Sequence, residues 1–422
     1  MRRAAALASL IVAGESVFVP PFYLGRFFKS SMMETLSINE LDLGQLGAIY
    51  GAVAMVCYAV GGPIADRFSP RTLIASSLIV TGCGSLYLAT FPSLTGLRCL
   101  YAFWGASTIL LFWAPLVRAT REWGGEQSQG RAFGLLDGGR GLYAALVATV
   151  AAYAFGAMMA GEGASEADAV RKILYGFALC CAAAALAVWV CVPSSKPKRI
   201  EKEEAQPEGG AVRSVARDLL TVLSMRSIWL TVMVVFSAYC AFKMFDFYGL
   251  YLEDSAGYTK SQSARTVAYL SYLRVASALA AGWIADKWLG PARTTTACFA
   301  LLIASYVLLI SAPGDNAPVA LAIGTFAVTC IAFFGLRGVY FAIFEEEGTP
   351  RELTGAAVGV VSLVGFTPEI VMPPLIGWLI HSARESDDVL LGYQRVFVIL
   401  AVLMTLGLAA SIMLARGNRR VA

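Results

Sequence analysis

The sequence has 422 residues, of which 58% are hydrophobic and 15% charged, with a formal net charge of +4. An ordinary soluble domain is about 45–50% apolar and about 25% charged. This composition therefore excludes an ordinary soluble domain, because too few polar residues remain to cover its surface. Lipid removes the conflict, since side chains that face lipid are apolar. We predict an all-α protein that crosses the bilayer repeatedly.

The first predicted span follows directly after two arginines at the N-terminus and has no small-residue cleavage site, so we expect it to be retained. It carries Glu15 and Arg26, and its proline pair, Pro20 and Pro21, predicts a kink. A spanning helix needs about 20 mostly apolar residues. Twelve stretches meet this criterion: 5–27, 43–64, 72–91, 94–117, 132–157, 173–192, 227–251, 265–285, 295–312, 317–344, 354–380 and 393–415.

The loops between these spans differ in positive charge. Lys and Arg favour one set of loops by about three to one, and the positive-inside rule places that set in the cytoplasm. Both termini belong to that set. We therefore predict a multi-pass protein of the plasma membrane, the inner membrane in a bacterium, with cytoplasmic termini.

Residues 193–226 form the one long polar connection. Its first part, PSSKPKRIEKEEAQPEGG, is charged and contains Pro and Gly, which is typical of a flexible linker. Its second part, AVRSVARDLLTVL, has apolar residues at helical spacing and fits a helix on the membrane surface. The connection divides the spans into an N-terminal bundle at 1–192 and a C-terminal bundle at 227–422.

A short motif recurs in the two halves. GGPIADRFSPR at 61–71 follows the second span, and AGWIADKWLGPAR at 281–293 follows the eighth. Both contain Gly-x-Ile-Ala-Asp followed by a basic residue, with Asp66 and Asp286 as counterparts. This recurrence indicates a parallel duplication of a six-helix half.

The first copy resembles the loop signature of the major facilitator superfamily, Gly-x-Leu-Ala-Asp-Arg-x-Gly-Arg-Lys between its second and third helices. It departs from that signature at Ser69, for glycine, and at Pro70, for a basic residue. The resemblance covers the whole chain and implies two pseudo-symmetric six-helix bundles around a central cavity, with a small solute as cargo. By the same resemblance, four residues of the two motif copies are candidates for gating: Asp66, Arg67, Arg71 and Asp286.

Basic residues inside the predicted spans are costly in lipid, by about 2.5–3.5 kcal/mol, which makes them candidate binding residues. Arg26 and Lys243 lie in the first helix of each half, where the family's organophosphate exchangers place paired cations, so by resemblance they are candidates to hold one anion. Arg26 equally fits an interfacial residue that snorkels beside Lys29. The predicted substrate-binding set adds two aromatic residues to the five cations: Arg26, Arg140, Lys243, Arg274, Arg337, Tyr23 and Tyr248.

Acidic residues inside the spans are candidates for proton coupling. Asp137 and Arg140 are three residues apart and can pair on one helix face, and Lys243 and Asp246 repeat that spacing. Glu15 has no basic neighbour at helical spacing in its own span, so either it carries a proton or a cation from another helix pairs with it. The predicted coupling residues are Glu15, Asp137, Asp246 and Glu369.

The sequence gives little support for a metal site, a cofactor, an enzymatic activity or a sensor. The nine cysteines lie mostly in hydrophobic runs without ligand spacing, and His381 is the one histidine, so no metal site and no cofactor is predicted. We find no nucleophile with a base and no nucleotide-binding loop, and predict neither an enzyme nor a nucleic-acid partner. The linker is too short for the output domain that a membrane sensor needs.

The leading hypothesis is a monomeric secondary transporter, with the bilayer, a small solute and a coupling ion as partners. Intramembrane cations in both halves favour a small polar organic anion, and the intramembrane acids favour proton-coupled symport. In this respect the chain resembles the organic-anion porters of the superfamily. Export or exchange, of an amphipathic compound or an organophosphate, is the alternative.

Overall fold

The computed structural model describes residues 2–124, 129–161, 163–194, 220–311, 319–347 and 353–417, and every regular element in those ranges is helical. Eleven of the described helices are long and apolar enough to cross a membrane, and a bent pair at the N-terminus makes up to twelve. The prediction of an all-α membrane protein is therefore confirmed. Most of the predicted linker, 195–219, lies outside the described residues.

The first span is broken at its proline pair, as predicted. Helix α1 (Arg2–Ser16) and helix α2 (Val19–Phe27) meet at an angle of 56°. The prolines occupy the first turn of α2, where a missing N–H breaks no bond within that helix. A short helix, α3 (Lys29–Leu36), follows directly.

Six further helices lie in the described part of the N-terminal half, and several of them begin at a side-chain cap. Asn39 and Asp42 form a capping box at the start of α4, and Ser165 caps α9. Helices α6 and α7 together form one apolar span, Leu94–Gly124. The six helices are α4 (Glu40–Arg67), α5 (Pro70–Leu88), α6 (Leu94–Ile109), α7 (Trp113–Gly124), α8 (Gln129–Met159) and α9 (Glu166–Cys191).

The seventh and eighth spans are both interrupted. In the seventh, a 3-10 turn at Phe245–Phe247 separates α10 (Arg226–Met244) from α11 (Tyr248–Ala256). The eighth comprises α12 (Lys260–Ser271), α13 (Leu273–Ile284) and a π-helical segment, Ala285–Leu289. The remaining helices are α14 (Pro291–Ser311), α15 (Val319–Val339), α16 (Ile343–Glu346), α17 (Thr354–Gly365), α18 (Pro368–Arg384) and α19 (Val389–Gly417).

The two motif copies occupy corresponding places, each at the end of a span and just before a helix that starts with proline. Asp66 precedes Pro70 by four residues, whereas Asp286 precedes Pro291 by five. The π-helical segment takes up the extra residue, because its bonds run from residue i to i+5. Gly290 N accordingly bonds Ala285 O at 3.0 Å.

The described chain forms two compact units. The first comprises Met1–Arg199, Asp246–Tyr272 and Pro373–Trp378, and the second comprises Ile200–Phe245, Leu273–Met372 and Leu379–Ala422. The first unit thus includes α11 and α12, which follow the linker in the chain. The predicted N-terminal bundle at 1–192 and C-terminal bundle at 227–422 were defined by order along the chain, whereas these units are defined by contacts. That division therefore stays a prediction.

Large aliphatic side chains cover the outside of the helices in both units. Leu179 is 70% exposed, Val190 72% and Leu279 69%. Soluble proteins rarely expose such side chains in contiguous patches. These surfaces fit a lipid environment, in which apolar side chains face the hydrocarbon.

Candidate functional site

A buried ion pair in the first unit joins α1 to α8. Arg140 Nη2 lies 3.3 Å from Glu15 Oε2, and the two side chains are 12% and 7% exposed. The Tyr23 hydroxyl, from α2, donates to Glu15 Oε1 at 3.2 Å. The structure thus gives Glu15 a cation from another helix, which is one of the two alternatives that the sequence left open.

Two aromatic rings and a glycine lie close to the Arg140 side chain. Its guanidinium carbon lies 5.7 Å from the centre of the Phe18 ring and 5.6 Å from that of Trp113, distances at which aromatic faces attract a cation. A Cβ atom added at Gly14 would lie 2.8 Å from Arg140 Cδ. The glycine therefore provides the space in which the arginine side chain runs.

Neighbouring helices stabilise the bend of the first span. Ser16 Oγ donates to the hydroxyl of Tyr143 at 2.9 Å, and Cys181 Sγ donates to the carbonyl oxygen of Ser16 at 3.2 Å. In a continuous helix that carbonyl would accept from the N–H of residue 20, but Pro20 has none. The bend brings Glu15 and Tyr23, from different helices, within hydrogen-bonding distance.

Arg26 is paired across helices, within the first unit. Its Nε lies 2.5 Å from Oδ1 of Asp246 in the 3-10 turn, and the two side chains are 16% and 15% exposed. Three residues after Arg26, the buried Lys29 places Nζ 3.8 Å from the centre of the Phe247 ring. Asp246 thus contacts a cation of the first span, a partner that the residue spacing within the seventh span does not indicate.

A third charged group in the first unit lies where α3, α9 and α12 meet. Lys260 Nζ lies 2.6 Å from Glu34 Oε1 and 2.9 Å from each carboxylate oxygen of Glu166. Beside it, the Ser30 hydroxyl donates to Glu253 of α11. We call Lys260, Glu34 and Glu166 the Lys260 cluster; it connects α12 to two helices of the N-terminal half.

In the second unit, a buried ion pair joins α10 to α18. Lys243 Nζ lies 3.0 Å from Glu369 Oε1, and the side chains are 4% and 16% exposed. The hydroxyl of Tyr239, one turn before Lys243, donates to Glu369 Oε2 at 2.6 Å. Both oxygens of the Glu369 carboxylate therefore have a partner.

Arg337 of α15 lies near two aromatic rings of α10, those of Phe242 and Tyr239. Its guanidinium carbon is 4.3 Å from the centre of the Phe242 ring and 5.8 Å from that of Tyr239. Within the described ranges, no carboxylate forms an ion pair with Arg337. Lys243, Arg337 and Glu369 together carry a formal charge of +1, with Tyr239 in contact with both Glu369 and Arg337.

The two units carry the same arrangement with reversed polarity. Spans one and five share the Glu15–Arg140 pair, and spans seven and eleven, their counterparts in the second half, share Lys243–Glu369. In each case the first span of the half supplies a tyrosine, Tyr23 or Tyr239, that donates to the carboxylate.

The remaining predicted binding and coupling residues are more scattered. Tyr248 is fully buried at the start of α11, which suits a packing residue. Arg274 is half-buried in the first turn of α13, and Asp137 is exposed on α8.

The candidate gating residues lie at the ends of their helices. Arg71 in the first turn of α5 places its guanidinium carbon 4.7 Å from the centre of the Trp189 ring of α9. Asp286 is exposed within the π-helical segment. Asp66 and Arg67 end α4, but their side chains lie outside the described part of the structure.

Two participants were missed from the sequence. Tyr239 lies four residues before Lys243, so helical spacing alone could have placed both on one face. The Lys260 cluster draws on three separate helices, and no pattern along one helix indicates it. Among the described residues, no group of three His, Cys, Asp or Glu side chains is placed to hold a metal ion.

Two solved transporters have the same fold. A bacterial homologue of the human lysosomal transporter Spinster, in an inward-facing unoccupied conformation, matches with a TM-score of 0.78 over 99% of this chain and 98% of that one, at 14% identity. The nucleoside transporter NupG matches with a TM-score of 0.72 over 98% of this chain and 99% of that one, at 13% identity.

Two Escherichia coli K12 proteins are similar in sequence. The inner membrane protein YihN is 26% identical over 97% of this chain and 95% of its own length, and the inner membrane protein YqcE is 24% identical over 84% and 82%. The sequence model of the Major Facilitator Superfamily matches residues 5–368. The chain therefore belongs to the Major Facilitator Superfamily and is a multi-pass membrane transporter.

Proposed function

We propose that this transporter is a proton-coupled symporter of a small polar organic anion, located in the inner membrane with both termini in the cytoplasm. The observation that carries the proposal is the group of Lys243, Arg337, Glu369 and Tyr239 in the second unit. A cation at membrane depth needs a counter-charge. Glu369 contributes one negative charge to this group, and we propose that an anionic substrate adds a further counter-charge beside the two cations.

The same group suggests how a proton would be coupled to the anion. When Glu369 takes a proton, the negative charge that faces Lys243 disappears from a region of low dielectric constant, where less compensation of a charge is costly. A substrate carboxylate beside Lys243 and Arg337 would remove that cost. Proton and anion therefore strengthen each other's binding, and by linkage they do so by the same factor.

Tyr239 connects the proposed proton site to the proposed anion site. Its hydroxyl donates to Glu369, while its ring contacts Arg337. A tyrosine hydroxyl can donate or accept, so it can follow the carboxylate through protonation. We assign substrate binding to Lys243 and Arg337 and proton binding to Glu369.

The first unit contributes a balanced pair to this scheme. Glu15 and Arg140 neutralise each other, and so do Arg26 and Asp246. We propose that Arg140 contacts the substrate in the course of transport and that Glu15 holds it in place beforehand. Asp137, Tyr248 and Arg274 stay candidate residues without a role in this exchange.

Uptake into proteoliposomes tests the function. The substrates are labelled monocarboxylates and sugar acids, each with an inward pH gradient and without one. We expect at least one anion to accumulate only with the gradient, and to bind more tightly as the pH falls, because protonation of Glu369 removes the negative charge that competes with the anion for Lys243. If no anion accumulates with the gradient, the proposal is wrong.

The variant Glu369→Gln separates anion binding from proton coupling. The amide resembles the protonated acid, so we expect anion counterflow to persist and to lose its pH dependence. Accumulation driven by the gradient should disappear. The matched variant Glu385→Gln changes an exposed carboxylate at the end of α18 and should leave both unchanged. If uptake by the wild type requires internal substrate even when the pH gradient is present, the protein is instead an exchanger.

A further inference from the structure

A groove in the second unit lies where α14 and α18 end and α19 begins. Its volume is about 390 Å³, within the range of about 300–1,000 Å³ of small-molecule sites. Five aliphatic side chains from the three helices line it, among them the buried Leu379 and the half-exposed Val398. The other two lining residues are Gln394 and Arg395. The transport scheme above uses none of these residues.

The groove lies beside an exposed face of α19. Arg395 is exposed, and Val398, Val402 and Leu406 follow it at helical spacing with 46%, 57% and 47% of their surface exposed. Such a stripe of exposed aliphatic residues fits contact with hydrocarbon. Arg395 thus places a permanent positive charge at the edge of an apolar groove on the lipid-facing surface.

The position of Arg395 indicates where its charge lies in the bilayer. It is six residues after Val389, the first residue of α19, which corresponds to about 9 Å along a helix. A long basic side chain at this depth directs its charged end toward the headgroups. The guanidinium is therefore within reach of a lipid phosphate.

We propose that this groove is a binding site for an anionic phospholipid. One acyl chain occupies the aliphatic groove, the phosphate accepts hydrogen bonds from the Arg395 guanidinium, and the Gln394 amide donates to the headgroup. Shape and charge both argue for this occupant. A neutral lipid leaves the arginine without a full counter-charge, and a small soluble anion leaves the groove without an apolar occupant.

Thermal stability of the purified full chain in a neutral detergent tests the site. Dioleoyl phosphatidylglycerol should raise the melting temperature more than dioleoyl phosphatidylcholine, and glycerol phosphate, a soluble headgroup analogue, should not raise it. Arg395→Gln should lower the apparent affinity for phosphatidylglycerol, read from the lipid concentration that gives half of the maximal stabilisation, about fivefold. This is the effect expected for the loss of one cation near an anionic lipid. The effect of phosphatidylcholine should be unchanged.

Two further variants make the result specific. Val398→Trp fills the groove and should reduce the effect of both lipids, and Arg293→Gln removes an exposed arginine at the opposite end of α14 and should reduce neither. Melting without lipid reports whether each variant folds. The proposal is overturned if Arg395→Gln keeps the full preference for phosphatidylglycerol, if Arg293→Gln loses it equally, or if glycerol phosphate stabilises as well as the lipid.

Discussion

Arg140 depends on a neighbour that has no side chain. Gly14 leaves open the space that Arg140 Cδ occupies, and an added Cβ would come within 2.8 Å of that atom. Since the arginine side chain is flexible, we expect Gly14→Ala to displace it and to lengthen its 3.3 Å contact with Glu15. The predicted result is a loss of about 1–3 kcal/mol in the free energy of unfolding, the usual cost of overpacking, together with slower uptake.

Gly138 is the matched control for that prediction. It lies on α8 two residues before Arg140, and a Cβ added there meets nothing within 4 Å. Gly138→Ala should keep or slightly raise stability, because alanine is the better helix former. Melting temperature and uptake measured on both variants decide the matter. Equal effects of the two substitutions would show that Gly14 has no special role beside Arg140.

The sequence identified the buried charges but not all of their partners. Arg140 and Lys243 both form ion pairs with an acid on another helix, whereas the sequence suggested for each only the acid three residues away. Helical spacing describes one helix at a time. Which faces of two helices meet depends on their rotation, and the residues along one span do not determine it.

At the scale of the helix, the break in the first span was predictable and its stabilisation was not. Two adjacent prolines remove consecutive N–H donors, so a kink near residue 20 follows from the sequence. The Cys181 thiol donates a hydrogen bond to the Ser16 carbonyl, which loses its donor within the helix because of the kink. The sequence offered only a buried, small hydrophobic cysteine there, and the hydrogen bond appears once α1 and α9 are packed together.

This arrangement predicts a coupling between Cys181 and Pro20. Cys181→Ala leaves the Ser16 carbonyl without its donor and should cost about 1–3 kcal/mol of stability, the range for an unsatisfied buried group. In a Pro20→Ala background, the N–H of residue 20 can bond that carbonyl. The same cysteine substitution should then cost less. Unfolding free energies of the two single variants and the double variant give the coupling energy directly.

The Cys181→Ser variant is the control, since its hydroxyl keeps a donor at the same place. It should retain most of the stability that Cys181→Ala loses. Strictly additive effects of Pro20→Ala and Cys181→Ala would contradict the proposed link between the proline and the thiol.

For the whole molecule, hydropathy and the repeated motif were sufficient to predict the all-α membrane fold and the superfamily. The one-residue difference between the motif copies was visible in the sequence, but its accommodation by a π-helical segment at Ala285–Leu289 was not. The Lys260 cluster was equally hidden, because its three residues are far apart in the chain and belong to polar helix ends that hydropathy does not distinguish.

The Lys260 cluster gives a prediction about alternating access. Residues Asp246–Tyr272 follow the linker in the chain but pack in the first unit with N-terminal helices. If the two halves of the chain exchange contacts during transport, the bonds of Lys260 to Glu34 and Glu166 must break. Partly exposed ion pairs contribute about 0.2–1 kcal/mol each, and Lys260→Gln removes two of them. The variant should therefore raise the population of molecules opened at this place by about two- to thirtyfold.

A cysteine at position 31 reports this opening. Ser31 is fully buried on α3, next to Ser30, whose hydroxyl donates to Glu253 of α11. A polar maleimide should label Ser31→Cys faster when Lys260→Gln is also present, after subtraction of labelling in the same background without Ser31→Cys. Lys172→Gln removes an exposed lysine from α9, the helix of Glu166, and should not change the rate. If both lysine variants accelerate labelling alike, loss of surface charge rather than release of α12 is responsible.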